Sequence, residues 1–305
     1  MNRHIKLTLT LKTDTSKRTD VGRYRKILVA VDSSDSAKNA FRQACRIVRE
    51  DKSWITVITT IPIYPDQFDV LSIKEKVSRR LREEGGEIIS GIMEIANQED
   101  VYIQTRIEEG APFQTIIDIA EEGGYDLIVM GRHGISRLER ALVGSVTARV
   151  IGHSRRDVLV VPGNTAIGWK TIVLATDGSR YSTAAREKAI NLAHSYGGAI
   201  KAVSVVDITD EFYTQAPELL ENLIKEAKGF VENIRQKAED SDVKVETLVR
   251  EGETYRVITD LAKKEGADVI VMGSHGRTGV KRLLMGSVTE KVIGYAACPV
   301  LVVKV

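Results

Sequence analysis

Two short segments of the 305-residue sequence carry residue types suited to holding an anion. Met130 begins "MGRHGISRLERALVGSV", and 142 residues later Met272 begins "MGSHGRTGVKRLLMGSV". Each contains two glycines three positions apart, nine intervening residues and then Gly-Ser: Gly131, Gly134, Gly144 and Ser145 in one, Gly273, Gly276, Gly286 and Ser287 in the other. Glycine is costly to order, so its recurrence at fixed offsets points to main chain that must turn tightly or be approached closely. The matching chemistry is phosphate binding. Bare backbone admits phosphate oxygens, and the N–H groups of a following helix start supply donors and a positive dipole end. Ser145 and Ser287 suit the N-cap of that helix, and Ser145 or Thr147, and Ser287 or Thr289, can add hydroxyl donors. His133 and His275 sit inside the loops, where an imidazole can touch phosphate or be an ordinary loop residue; no second titratable group stands beside either to make an acid and base pair. Arg132, Arg137 and Arg277 are natural phosphate contacts, though exposed arginine is equally ordinary. Asp32 and Asp177 end the first apolar run of each half, where a carboxylate can accept from ribose hydroxyls or reach a phosphate-bound Mg²⁺. Their rival role is a helix N-cap, because "DSSDSA" and "DGSRYS" each precede a helical stretch.

The elements that must position these residues come in two sets. Gly124–Val161 and Gly266–Val303 align without gaps at 21 identical positions of 38, far above chance, which marks a duplication. The expected organisation is an N-terminal extension over residues 1–22, a first domain over 23–162, a join over 163–168 and a second domain over 169–305. Within each half, β-branched runs alternate with amphipathic stretches. The first half gives "KILVAVD", "WITVITTI", "VYIQTRI", "YDLIVMG" and "DVLVVP"; the second gives "KTIVLATD", "AIKAVSVVD", "KVETLVR", "ADVIVMG" and "PVLVVKV". This pattern predicts an α/β protein of two domains, each a five-stranded parallel sheet with helices on both faces. Ligands of such sheets settle beyond the carboxyl ends of the strands, where both glycine loops fall.

Composition narrows the function. The formal net charge is +2 and aromatic residues make up 5%, so neither a basic surface nor stacking platforms suggest nucleic acid. No run reaches the ~20 apolar residues of a membrane-spanning helix, and the opening residues lack the apolar core of a secretory signal, which reads as a cytoplasmic protein. Cys45 and Cys298 sit in apolar contexts and read as buried free thiols; neither has the neighbours of a zinc site, and no metal held by protein ligands alone is expected. The alternation of Ile5, Leu7, Leu9 and Leu11 with polar residues suits an extra half-buried strand.

Each half resembles a universal stress protein domain, and the chain from Arg23 onward resembles a tandem universal stress protein. The resemblance rests on the Gly-x2-Gly-x9-Gly-Ser pattern, complete in both halves. It implies Rossmann-like domains of the adenine nucleotide alpha hydrolase-like type, with ATP, or AMP or ADP, as cofactor and Mg²⁺ held through the phosphates. The contacts expected in the first half are Ala30, Asp32, Thr60, Met130, Gly131, Arg132, His133, Gly134, Gly144, Ser145, Val146 and Thr147. Those expected in the second are Ala175, Asp177, Val205, Met272, Gly273, Ser274, His275, Gly276, Arg277, Gly286, Ser287, Val288 and Thr289. Thr60 and Val205 enter only through the resemblance, as main chain meeting adenine. The second half is the closer match: "AVDSS" lacks the glycine that follows Asp177, and Ile135 stands where the second half has Arg277. The function so implied is an ATP-binding regulatory protein of the stress response with an unnamed protein partner and slow or absent hydrolysis. A nucleotide-using enzyme is the alternative, although no Walker lysine is present, and a scaffold that binds no nucleotide is a third. Val158–Val161 and Val300–Val303 would be exposed sheet edges if left alone. The resemblance implies that they pair antiparallel within one chain as a pseudo-dimer; further homodimerisation is a second expectation, with Ile5 to Leu11 a candidate surface.

Overall fold

The computed structural model describes residues 23–63, 71–134, 143–207, 217–277 and 285–305. Ile5 to Leu11, Ile135 and Arg137 lie outside them. In chain order the first half comprises β1 (Lys26–Ala30), α1 (Asp35–Asp51), β2 (Trp54–Ile61), α2 (Leu71–Gln98), β3 (Gln104–Glu109), α3 (Pro112–Glu122), β4 (Leu127–Gly131), α4 (Ser145–His153) and β5 (Asp157–Val161). The second repeats the series as β6 (Thr171–Ala175), α5 (Arg180–Tyr196), β7 (Ala199–Val206), α6 (Pro217–Glu239), β8 (Lys244–Glu251), α7 (Thr254–Lys264), β9 (Val269–Gly273), α8 (Ser287–Tyr295) and β10 (Val300–Val303).

The ten strands form one sheet in the order β3-β2-β1-β4-β5-β10-β9-β6-β7-β8. Pairing within each half is parallel throughout, as the strand-and-crossover pattern requires. The two halves meet through the valine-rich final strands, which pair antiparallel with Val160 opposite Val300, Leu159 opposite Leu301 and Val158 opposite Val302. This joint closes the edge that each half would otherwise expose.

The inner strands are continuous apolar runs because helices cover both faces. Alternate residues feed two cores. Ile27, Val29, Leu159, Ile172 and Leu301 pack with α1, α2, α5 and α6, while Leu28, Ile128, Val158, Val173 and Val300 pack with α3, α4, α7 and α8. Each core runs through both halves. The join after β5 is docked rather than loose: Asn39 donates to the carbonyls of Pro162 and Thr165, and Gln43 accepts from the Ile167 N–H. Both cysteines are free and buried, and burial pushes each thiol up to about 12. Among the described residues no helix is long and apolar enough to cross a membrane.

Candidate functional site

In each half the strand order reverses between β1 and β4, or between β6 and β9, and a cavity opens at the carboxyl ends of those strands. The first, of about 360 Å³, is lined by Ala30, Asp32, Thr60, Met130, Gly131, His133, Gly134, Gly144, Ser145, Val146 and Thr147. The second, of about 330 Å³, is lined by Ala175, Asp177, Val205, Met272, Gly273, His275, Gly276, Arg277, Gly286, Ser287, Val288 and Thr289. Residues separated by 142 or 145 positions in sequence thus occupy equivalent walls. Both volumes fall at the lower end of the range for small-ligand pockets.

The glycines act by leaving space rather than by adopting left-handed backbone. None of the six loop glycines has a positive φ. A Cβ on Gly131 would lie 2.6 Å from Ser36 Oγ, and one on Gly273 would lie 2.6 Å from the Cβ of Tyr181, so the strand ends are pressed against the first turns of α1 and α5. A Cβ on Gly134 or Gly276 would meet an aspartate oxygen, at 2.5 Å from Asp32 Oδ2 and 2.8 Å from Asp177 Oδ2. These close approaches fix the loop against the carboxylate, and a Cβ on Gly144 or Gly286 would meet the backbone of the same loop at 3.3 and 3.4 Å, so the loop packs closely on the start of the following helix.

Asp32 and Asp177 do not cap helices. Ser34 and Ser179 hold that position, each accepting from an N–H three residues on, Ala37 and Ser182. Asp32 Oδ1 accepts from the Ser34 N–H at 3.0 Å and the Ser34 hydroxyl at 2.5 Å. Asp177 accepts from the Ser179 N–H at 3.0 Å through Oδ1 and from the Arg277 N–H at 2.8 Å through Oδ2. The carboxylate therefore ties the first-strand turn to the glycine loop.

Four expectations need correction. Ser145 and Ser287 are first helical residues, not N-caps; Gly144 and Gly286 hold the cap position, with no side-chain cap bond. Thr147 and Thr289 line the cavities, but their buried hydroxyls donate to the carbonyls of Gly131 and Gly273 at 3.0 and 3.1 Å, so the donors brace the strand ends. Arg132 does not line the first cavity. Its guanidinium crosses to the other half and donates to the carbonyls of Ile293, Gly294 and Ala296 at the end of α8, where the negative end of the helix favours a cation. Ser274 is buried beneath its loop, and its hydroxyl meets His275 Nδ1 at 3.1 Å. Both Arg132 and Ser274 nonetheless close their loops through main chain, accepting from Gly144 N–H and Gly286 N–H at 2.9 Å.

Other wall residues escaped the motif. Ile58 and Ile116 line the first cavity, and Val203 and Ile258 the second. Ile116 and Ile258 occupy equivalent places in "PFQTIIDIA" and "TYRVITDLA", so the repeat itself carried a signal for them. A model of the Universal stress protein family matches residues 23–162 and again 168–304.

The chain belongs to the universal stress protein family. The repeated match makes it a tandem member, as the resemblance implied. A universal stress protein of Methanocaldococcus jannaschii is 41% identical over 140 residues, which cover 45% of this chain and 82% of that one. One from Mycolicibacterium smegmatis is 28% identical over 295 residues, covering 91% of this chain and 96% of its own. A crystal structure of a universal stress protein from Archaeoglobus fulgidus superposes with a TM-score of 0.69 at 20% identity, over 92% of this chain and 96% of that one, a likeness of fold.

Proposed function

We propose that each half of this universal stress protein binds an adenine nucleotide, and that the chain is an ATP-binding regulatory protein whose occupancy alters what it engages. The observation that carries this reading is the pair of equivalent cavities, each bounded by an apolar slot, a strand-end aspartate and a glycine-lined main chain leading into a helix start. The apolar walls, Ile58 with Ile116 and Val203 with Ile258, suit a flat base. Main chain at Thr60 and Val205 lies at the base end of this reading, Asp32 and Asp177 near the ribose, and the N–H groups that begin α4 and α8 near the phosphates. Both carboxylates already hold the turn that follows them, and Asp177 also holds the Arg277 N–H, so Mg²⁺ is assigned to the phosphates, with the aspartates at most sharing a lone pair.

The test is calorimetry on nucleotide-free, full-length protein. Two equivalents of ATP per chain are expected, with the second half the tighter site. Gly276→Ala should reduce this to one, because its methyl group would drive the Asp177 carboxylate and the loop apart. Retention of two equivalents in that variant would remove the assignment. Turnover above about 1 s⁻¹ would move the protein into the enzyme class instead. The identity of any copurifying nucleotide names the base and phosphate number directly.

A further inference from the structure

The two cavities share their plan but differ in charge among the described residues. Among the described residues, Arg277 is the one lysine or arginine lining the second cavity, and none lines the first. Arg277 is also engaged elsewhere. Its guanidinium makes two hydrogen bonds to the Glu226 carboxylate on α6, at 2.8 and 2.6 Å, and lies 5.5 Å from the ring centre of Phe230. Phe230 in turn fills the space opened by Gly178, whose φ is +76° and whose added Cβ would fall 2.2 Å from the ring. Ser33, the equivalent of Gly178, has no such left-handed conformation. Hydrogen bonding from Arg277 holds the Glu226 carboxyl below the ordinary carboxylate range.

That ion pair stands at the rim. Its side chains are 52% and 41% exposed, so water and salt screen it and little is lost when the guanidinium changes partner. One phosphoryl group can be satisfied by the N–H groups at the start of α8. Each additional phosphate of a longer chain brings negative charge that those donors do not neutralise. A planar guanidinium fits a phosphate as well as it fits a carboxylate, by two parallel N–H bonds.

Resting on the nucleotide reading above, we propose that Arg277 and Glu226 form a phosphate-number selector confined to the second half. A nucleoside di- or triphosphate draws the guanidinium away from Glu226, whereas a monophosphate leaves the pair intact. The second half then prefers polyphosphate nucleotides and the first half discriminates less. Release of Glu226 also frees the contact between the glycine loop and α6, so phosphate number is reported on that outer helix.

The experiment is calorimetric titration of full-length wild type, Glu226→Gln and Arg277→Gln with ATP and separately with AMP, each variant first matched to wild type in thermal unfolding. Glu226→Gln should tighten ATP at one site by about two- to fivefold and leave AMP unchanged. Arg277→Gln should weaken ATP at that same site by a similar factor, again without changing AMP, and the double variant should behave as Arg277→Gln alone. Equal effects on ATP and AMP, or none on either, would overturn the selector while leaving nucleotide binding in place. Failure of wild type to bind either nucleotide would remove the functional reading and the selector with it.

Discussion

At the scale of single residues, Asp177 works through main-chain groups, accepting from the N–H of Ser179 and the N–H of Arg277. Its position at a strand end was legible because an apolar run stops at it, yet its bond to the Arg277 N–H joins residues 100 positions apart, a contact no local pattern carries. Asp177→Asn keeps the shape but sets an amide NH₂ or a weaker carbonyl against two main-chain donors. The expected result is a loss of about 1 kcal/mol in denaturant unfolding together with weakened nucleotide binding in the second half. A variant equal to wild type in both measurements would mean that the carboxylate does not hold the loop. Arg132 shows the opposite error: its type and place in the motif suggested phosphate, and only the closeness of α8 from the other half explains why it turns away.

At the scale of elements, the strands were readable because burial on both faces makes them unbroken β-branched and apolar runs, and the duplication gave each assignment a second witness. Boundaries were less readable. The run "VYIQTRI" begins at Val101, whereas β3 begins at Gln104, where pairing with Thr56 of β2 starts. The helix caps were misplaced for a physical reason: Gly-Ser before a helix looks like a serine cap, but the glycine holds the cap backbone, with φ of −60° at Gly144 and −67° at Gly286, and leaves main chain bare at the cavity. The two kinds of helix start should respond differently to substitution. Ser34→Ala and Ser179→Ala remove a side-chain acceptor from an orphan N–H and should each cost about 1 kcal/mol. Ser145→Ala and Ser287→Ala remove no cap and should stay within about 0.5 kcal/mol of wild type in the same unfolding measurement. Equal losses in the two pairs would contradict the assignment of the caps.

At the scale of the whole molecule, the halves are bound by more than the β5–β10 joint, and the additional ties lie where the repeat is broken. Arg132 of the first half serves the carbonyl end of α8, while Lys304 of the second serves that of α4 by donating to the Ile151 carbonyl; their equivalents in the repeat are Ser274 and Pro162. Beside Lys304, the buried Asp157 accepts from its main-chain N–H at 3.0 Å and from the Tyr24 hydroxyl at 2.8 Å, and pairs with Lys188 of α5 at 3.2 Å. This network spans both halves and was illegible in the sequence because its members are widely separated along the chain. It has a consequence for pH. Burial lowers the Lys304 ammonium from its ordinary value to about 8, against the opposing pull of Asp157. In the unfolded chain the group titrates at its ordinary value, near 10.5. Between those limits unfolding takes up a proton, so the contribution of Lys304 is complete above about 10.5 and lost as pH falls through about 8. Burial also holds Tyr24 well above its ordinary value, so its own effect enters only as the unfolded chain begins to lose phenolic protons near pH 10. Wild-type stability minus that of Lys304→Met should therefore rise between pH 8 and about 10, with a slope approaching about 1.4 kcal/mol per pH unit. Chemical denaturation across that interval reads the difference directly, and parallel curves for the two proteins would show that Lys304 remains charged in the folded joint between the halves.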